Sequence, residues 1–573
     1  MHGRHTANDN KTGGRSLRGP LALGVVVALV ALTVVAVRVV AADATGCSSG
    51  VRLNIAANPD IYPAVREAAT RWVDTNPKVN RQCVRVQVTS VPAADVANAL
   101  AVRAGAGAFI NVAAKPVPTP PDDEVPAIWI PDSISWVGRV QGVNRDAFEE
   151  QVPSLAMSPV VLGMPEALAR TLQGGKPNKL TAEELAGLLQ RSVRNGDKNV
   201  QVGVAEPRRD AAGLAGAVLM HDTVATGPAQ LPNLVGAYRG VGLVPDQAAL
   251  LKAFGAGQTV APMSEQAVLT YDAASPPSPL AAVPLEAGQS LDYPYAVVAG
   301  KPRAIARAAE QFRSVLTSRS YRDIFAKAGF RDADGGANPG FPVGHGATSD
   351  PAVGNPLADT KKIADVLSIW TASKTPSRII TLTDVTAIMG QPVAPGAPTR
   401  MQIMQKTQVD GLKLFSDDSQ MAVWGFASGL PGGTDYHEMV PMSPLDGVQR
   451  NRINAAIAGN QPVATNTRGL YESMLAAYKA VKDGWQEGKS NTVLVFTSGS
   501  NTKQDGLSLD DVNLELEKLT DPTKPIRVVL LGFGPDVNLD ELTSIAKTTG
   551  GKAFKVERPE EIGAIFLQAL IRG

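Results

Sequence analysis

From Val51 to the C-terminus, short runs rich in Val, Ile, Thr and aromatic residues alternate with segments of helical apolar period. That alternation restricts the chain to layered α/β architectures. Ile61, Val65, Ala68 and Trp72 recur at helical spacing and share one helix face, as do Leu470, Met474, Ala477 and Val481. In the first half, strands are predicted over 51–56, 84–88, 127–130, 160–164, 202–205 and 295–298, with helices near 182–189, 211–219 and 304–317. A second series begins at Arg378, with strands over 379–383, 421–426, 492–496, 527–531 and 552–556 and a terminal helix over 560–571. At 573 residues the chain exceeds the roughly 250–300 residues that one core can serve, so two large units are expected. The Gly-, Pro- and Asp-rich stretch 335–356 is the natural boundary. It places the first domain at 47–345, a linker at 346–375 and a second, doubly wound domain at 376–573.

The N-terminus has a different character. Residues 1–19 are polar, with Arg4, Lys11, Arg15 and Arg18 against Asp9, and Leu21–Val37 is a charge-free, mostly apolar run that Val39–Ala42 extends past Arg38. About 20 apolar residues cross a bilayer. The basic tail would stay cytoplasmic, leaving everything after Asp43 outside. A single-pass anchor over 20–42 is therefore expected. A cleaved signal peptide is the rival, since Ala42 and Ala44 form an A-x-A site, although the run exceeds the usual h-region of about 7–15 residues. A lipoprotein site at Gly46-Cys47 is disfavoured by Ala44, which stands where a larger aliphatic residue belongs. The only cysteines, Cys47 and Cys83, immediately precede two strands joined by a helix. Parallel strands of a βαβ unit start at the same edge, so the pair is a candidate disulfide in an oxidising compartment.

Composition excludes several functions. With 55 Lys+Arg against 54 Asp+Glu there is no overall field for nucleic acid, and no arginine-rich block or basic aromatic stripe appears. The five histidines are isolated and form no zinc motif. Gly488-Lys489-Ser490 lacks the leading glycine of a phosphate loop, because Asp483 stands there. Ser498 is not in a G-x-S-x-G elbow, since Phe496 replaces the first glycine. Binding without catalysis is the expectation.

In open α/β sheets the functional residues lie on loops after the strands. Asp384-Val385-Thr386-Ala387-Ile388 follows the first strand of the second series and resembles the D-x-S-x-S adhesion site of von Willebrand factor A domains. There a carboxylate and hydroxyls offer oxygens to a hard cation. Asp384 and Thr386 match, Thr467 is similar to the family's later threonine, Ile388 supplies no oxygen, and Thr497-Ser498-Gly499 replaces the family's T-D-G. The implied site is a degenerate one that holds Mg²⁺ weakly or not at all.

Further segments extend the likeness. Asp435-Tyr436-His437-Glu438-Met439-Val440-Pro441 and Gly532-Phe533-Gly534-Pro535-Asp536 downstream, with Trp129-Ile130-Pro131-Asp132-Ser133 and Arg208-Arg209-Asp210-Ala211-Ala212-Gly213 upstream, resemble an actinobacterial membrane protein family. Its members fuse a substrate-binding domain to a von Willebrand factor A domain. The resemblance implies a two-lobed, type II periplasmic-binding-protein-like fold followed by a Rossmann-like one. Ligand would then lie between the lobes, with Asn58, Ser133, Ser135, Ser158, Arg208, Asp210 and Ser264 as candidate contacts. It implies a cell-surface binding or assembly protein with a small-molecule ligand in the first domain and a protein partner for the second. The alternative is a solute receptor for an ABC-type importer.

Overall fold

A computed structural model describes residues 50–556 except 107–120, 122–123, 174–179, 182–183, 185–186, 188–199, 225–229, 255–259, 287, 351–353 and 535–536. The expected tail, membrane segment and terminal helix lie outside those residues, as does most of the helix expected at 182–189. Among the described residues no helix is long and apolar enough to cross a membrane.

The first lobe is built on β1 (Gly50–Ala57), β2 (Lys78–Val79), β3 (Gln82–Ser90) and β4 (Ile128–Ile130). The parallel β1–β3 pair brackets helix Tyr62–Val73, whose Val65, Ala68 and Trp72 are buried beneath the sheet as their spacing required. The chain then crosses to a second lobe with β5 (Ser158–Pro165), β6 (Gly203–Ala205), β7 (Gly242–Val244), β8 (Ala261–Ser264), β9 (Leu280–Val283) and β10 (Gln289–Leu291). Strand β5 is central there, with antiparallel partners β8, β9 and β10. The chain returns as β11 (Ala296–Val297), antiparallel to β4. Outgoing and returning segments run side by side, bridged at Ser154–Pro294. Those two passages form the hinge.

The stretch 335–356 does not leave this unit. Arg331, 2% exposed, donates two hydrogen bonds to Glu265 and two more to the carbonyls of Thr348 and Asp350, so the Gly-rich loop is wound around a buried guanidinium. Strand β12 (Asn355–Pro356) then pairs with β10. Helix Thr360–Lys374, capped by Asp359, sends Ile363, Val366, Ile369 and Trp370 into the first unit's core. It packs on helix Ile134–Gln141 of the first lobe and on helices Ala211–Val224 and Leu231–Gly240 of the second. It is a strap across both lobes. Only Thr375 and Pro376 separate its end from the next sheet.

That sheet contains β13 (Ser377–Asp384), β14 (Gln420–Phe426), β15 (Tyr436–Pro444), β16 (Ser490–Thr497), β17 (Ile526–Phe533) and β18 (Lys552–Val556) in the order β15-β14-β13-β16-β17-β18. All pairs are parallel except β14–β15. Helices cover both faces, over two apolar clusters. The five expected strands are all present. The edge strand β15 was missed because half-exposed polar residues interrupt its alternation.

Candidate functional site

Between the lobes, the loops after β1 and β4 and the turn before helix Ala211–Val224 converge. Asn58 donates to Asp60 (2.7 Å) and accepts from the Ala93 amide. The Tyr293 hydroxyl, in the returning hinge passage, donates to the other Asp60 oxygen at 2.5 Å. Tyr293 is fully buried with φ of 41°, a left-handed conformation that a non-glycine residue seldom adopts. Asp132 accepts from the Trp136 indole (2.8 Å). Burial pushes the carboxyls of Asp60 and Asp132 above the ordinary range, and their mutual repulsion raises Asp132 further. Asp210 is pushed up to about 6, first by burial and then by the nearby charges of Asp60 and Asp246. Three carboxyl groups from two lobes therefore share one poorly solvated region.

The candidate contacts have different fates. Ser133 and Ser264 are helix N-caps, and Asp210 takes the Gly213 amide at the head of its helix. The buried Ser158 hydroxyl accepts from the Gln266 amide. Arg208 is committed to Glu206 through two bonds of 2.7 and 3.0 Å, and Arg209 reaches across to Asp95. Arg208 is thus held by a buried carboxylate, whereas Arg209 forms an exposed pair. Ser135 is 1% exposed, and among the described residues its hydroxyl has no hydrogen-bond partner. Trp136 is wholly buried, with the Arg139 guanidinium 4.4 Å from its ring centre. The residues sequence reading did not select are Asp60, Asp132 and Tyr293. A Tyr beside Pro294, far along the chain, gave no signal of its pairing with Asp60.

The carboxyl edge of the second sheet holds the adhesion-like loop. Asp384, fully buried, uses Oδ1 for the Thr386 amide (2.9 Å) and hydroxyl (2.6 Å). Its Oδ2 accepts the Ser498 amide (2.9 Å) and hydroxyl (2.5 Å). The Ser498 oxygen also accepts from Arg468 Nη1 at 2.9 Å, and Arg468 Nε donates to the Ser500 carbonyl. A side-chain cation thus stands one hydroxyl away from the carboxylate. Thr467 contacts Thr465 and Ser428 through its backbone instead of joining Asp384 and Thr386. Among the described residues no group of three His, Cys, Asp or Glu is placed to hold a metal. Mg²⁺ does not fit these residues: both Asp384 oxygens are already filled by two donors each, and Arg468 supplies the positive charge.

Cys83 begins the β3 ladder, opposite Gly50 on β1. Cys47 lies outside the described residues.

Residues 53–331 match the bacterial extracellular solute-binding protein family. The matched segment covers both lobes up to Arg331. An uncharacterized protein of Mycobacterium tuberculosis is 26% identical over 610 aligned residues, covering 97% of this chain and 84% of that protein. Among solved structures, similarity extends to a periplasmic thiamin binding protein (11% identity, TM-score 0.41, 57% of this chain and 98% of that one). It extends also to the sulfate-binding protein of Mycobacterium tuberculosis (17%, 0.33, 52% and 92%). A von Willebrand factor type A protein from Catenulispora acidiphila is similar over 34% of this chain and 42% of its own (15%, 0.28).

Proposed function

We propose that this chain is a membrane-anchored, extracytoplasmic binding and assembly protein that acts without catalysis. In this reading the solute-binding domain serves as a strapped scaffold, and the second unit grips a protein partner through its carboxyl-edge loops without a metal. One observation carries it: apart from the Ser135 hydroxyl, the candidate contacts between the lobes are held in internal bonds, while helix Thr360–Lys374 packs on both lobes and leads directly into the second sheet. A photo-crosslinker at Ser428 or Asn466 of the anchored chain, in its native cells, should yield discrete protein adducts that free residues on the opposite edge do not. Adducts absent from both positions would sink the assembly reading.

The alternative, a solute receptor for an ABC-type importer, draws support from the family match and from the carboxyl groups of Asp60, Asp132 and Asp210 around one region. Those groups would suit a cationic solute. A thermal-shift screen of the full-length chain decides between the readings. A solute that raises melting by several degrees, and loses the effect in Asp210→Asn, favours the receptor.

A further inference from the structure

A cavity of about 290 Å³ lies where the two units meet, at the amino-terminal edge of the second sheet and thus opposite to Asp384. Its walls include Arg239 from the second lobe, Thr371 and Thr375 from the strap and its exit, and Lys489, Asn491 and Arg527 from the turns and strand starts of the second sheet. Three cations line it and no carboxylate does. Two of the three are committed only to neutral carbonyls: Arg239 donates to the carbonyls of Ser373 and Leu414, and Lys489 to that of Asp418. Bonds to carbonyls hold the side chains in place without cancelling their charge. Among the described residues, nothing pairs with the Arg527 guanidinium, and burial alone pulls it down from its ordinary range. A nearby carboxylate, Asp417, is itself paired with Arg450 at 2.9 Å.

Uncompensated charge in a part-dry cavity is costly unless an opposite charge enters. Guanidinium groups match phosphate oxygens in planar, two-pronged contacts, and three cations exceed what a single carboxylate would neutralise. The volume approaches the lower end of small-molecule sites, larger than one monophosphate needs. We infer that the seam between the two units is a binding site for a small diphosphate-bearing anion, held by Arg239, Lys489 and Arg527. Binding there would brace the solute-binding domain against the second sheet, because the anion bonds to both. The inference is independent of the inter-lobe reading, whose residues it does not share.

The test uses the full-length chain in mild detergent, with inorganic pyrophosphate as the probe, sodium chloride at matched ionic strength as the control, and calorimetric titration plus thermal melting as readouts. Arg527→Gln is the informative variant, since no partner is lost with it. Lys489→Gln is the second, and Arg52→Gln, exposed on β1 in the other unit, is the control. Pyrophosphate should bind saturably to the parent chain and to Arg52→Gln and raise their melting temperature, with affinity at least tenfold weaker in Arg527→Gln and in Lys489→Gln. Retained circular dichroism in both variants excludes misfolding as the cause. No saturable binding at millimolar pyrophosphate, or equal binding by parent and Arg527→Gln, overturns the inference and leaves a solvent-filled seam.

Discussion

Single residues decide how each site behaves with pH and metal. Asp292, in the hinge passage, holds the Ile134 amide and the Ser154 hydroxyl, yet burial pushes its carboxyl up to about 6. A carboxyl raised in the fold keeps its proton where the unfolded chain has lost it, so its contribution is complete below about pH 4 and is lost as pH rises through 6. Raising the carboxyl from about 4 to about 6 corresponds to roughly 3 kcal/mol. Asp292→Asn can keep the amide contact and carries no charge. Its stability relative to the parent should therefore grow between pH 4 and pH 7, as urea unfolding at several pH values would read; a pH-independent difference would refute the burial argument. In the second unit, Arg468 compensates the buried Asp384 network. Arg468→Ala should destabilise by about 3 kcal/mol, as removal of a charge from a buried polar network does. The parent's melting should be the same in millimolar Mg²⁺ and after chelation, and a metal-dependent shift would show that Asp384 retains a cation site.

Among the elements, helix Thr360–Lys374 has the largest structural consequence. Trp370 is fully buried, meets Tyr238 edge-on with ring centres 5.0 Å apart, and donates its indole N–H to Glu206. Trp370→Ala should cost about 3–5 kcal/mol by cavity formation, measured by denaturant unfolding, and should loosen both lobes and the junction together. A small cost would mean that the helix only rests on the surface. Helix Arg400–Leu412 starts with a capping box in which Thr399 takes the Gln402 amide and Gln402 returns to the Thr399 amide. Loss of the hydroxyl in Thr399→Ala should cost about 1 kcal/mol, a local effect confined to the second unit. Element type was readable from sequence because periodicity is local: Ile61, Val65, Ala68 and Trp72 had to face a core once they were helical. The strap's allegiance was not readable. Its Ile363, Val366 and Trp370 spacing announces a buried face, but which unit supplies the opposing surface depends on helices more than 100 residues upstream.

At the scale of the whole molecule, the unit boundary falls at Thr375–Pro376, with contacts such as Arg239 to Leu414 crossing it. A bond between Cys83 and Cys47 would close a loop of about 37 residues, worth roughly 3–4 kcal/mol. Cys83→Ser should lower the stability of the first unit by that amount in non-reducing calorimetry while the second unit's transition stays in place. Equal stability would mean that the bond does not staple β1 to β3. The sequence by itself determined the layered α/β order, the number of large units and the strands on which the loops sit, because hydrophobic period and chain length are properties of neighbouring residues. Only the tertiary structure decided that Ser133 and Ser264 cap helices, that Arg208 is spent on Glu206, and that Arg468 serves where a cation was expected. Those outcomes depend on how strands and loops distant in sequence, such as Asp384 and Ser498, are brought edge to edge, and on which charges lose their water when they meet.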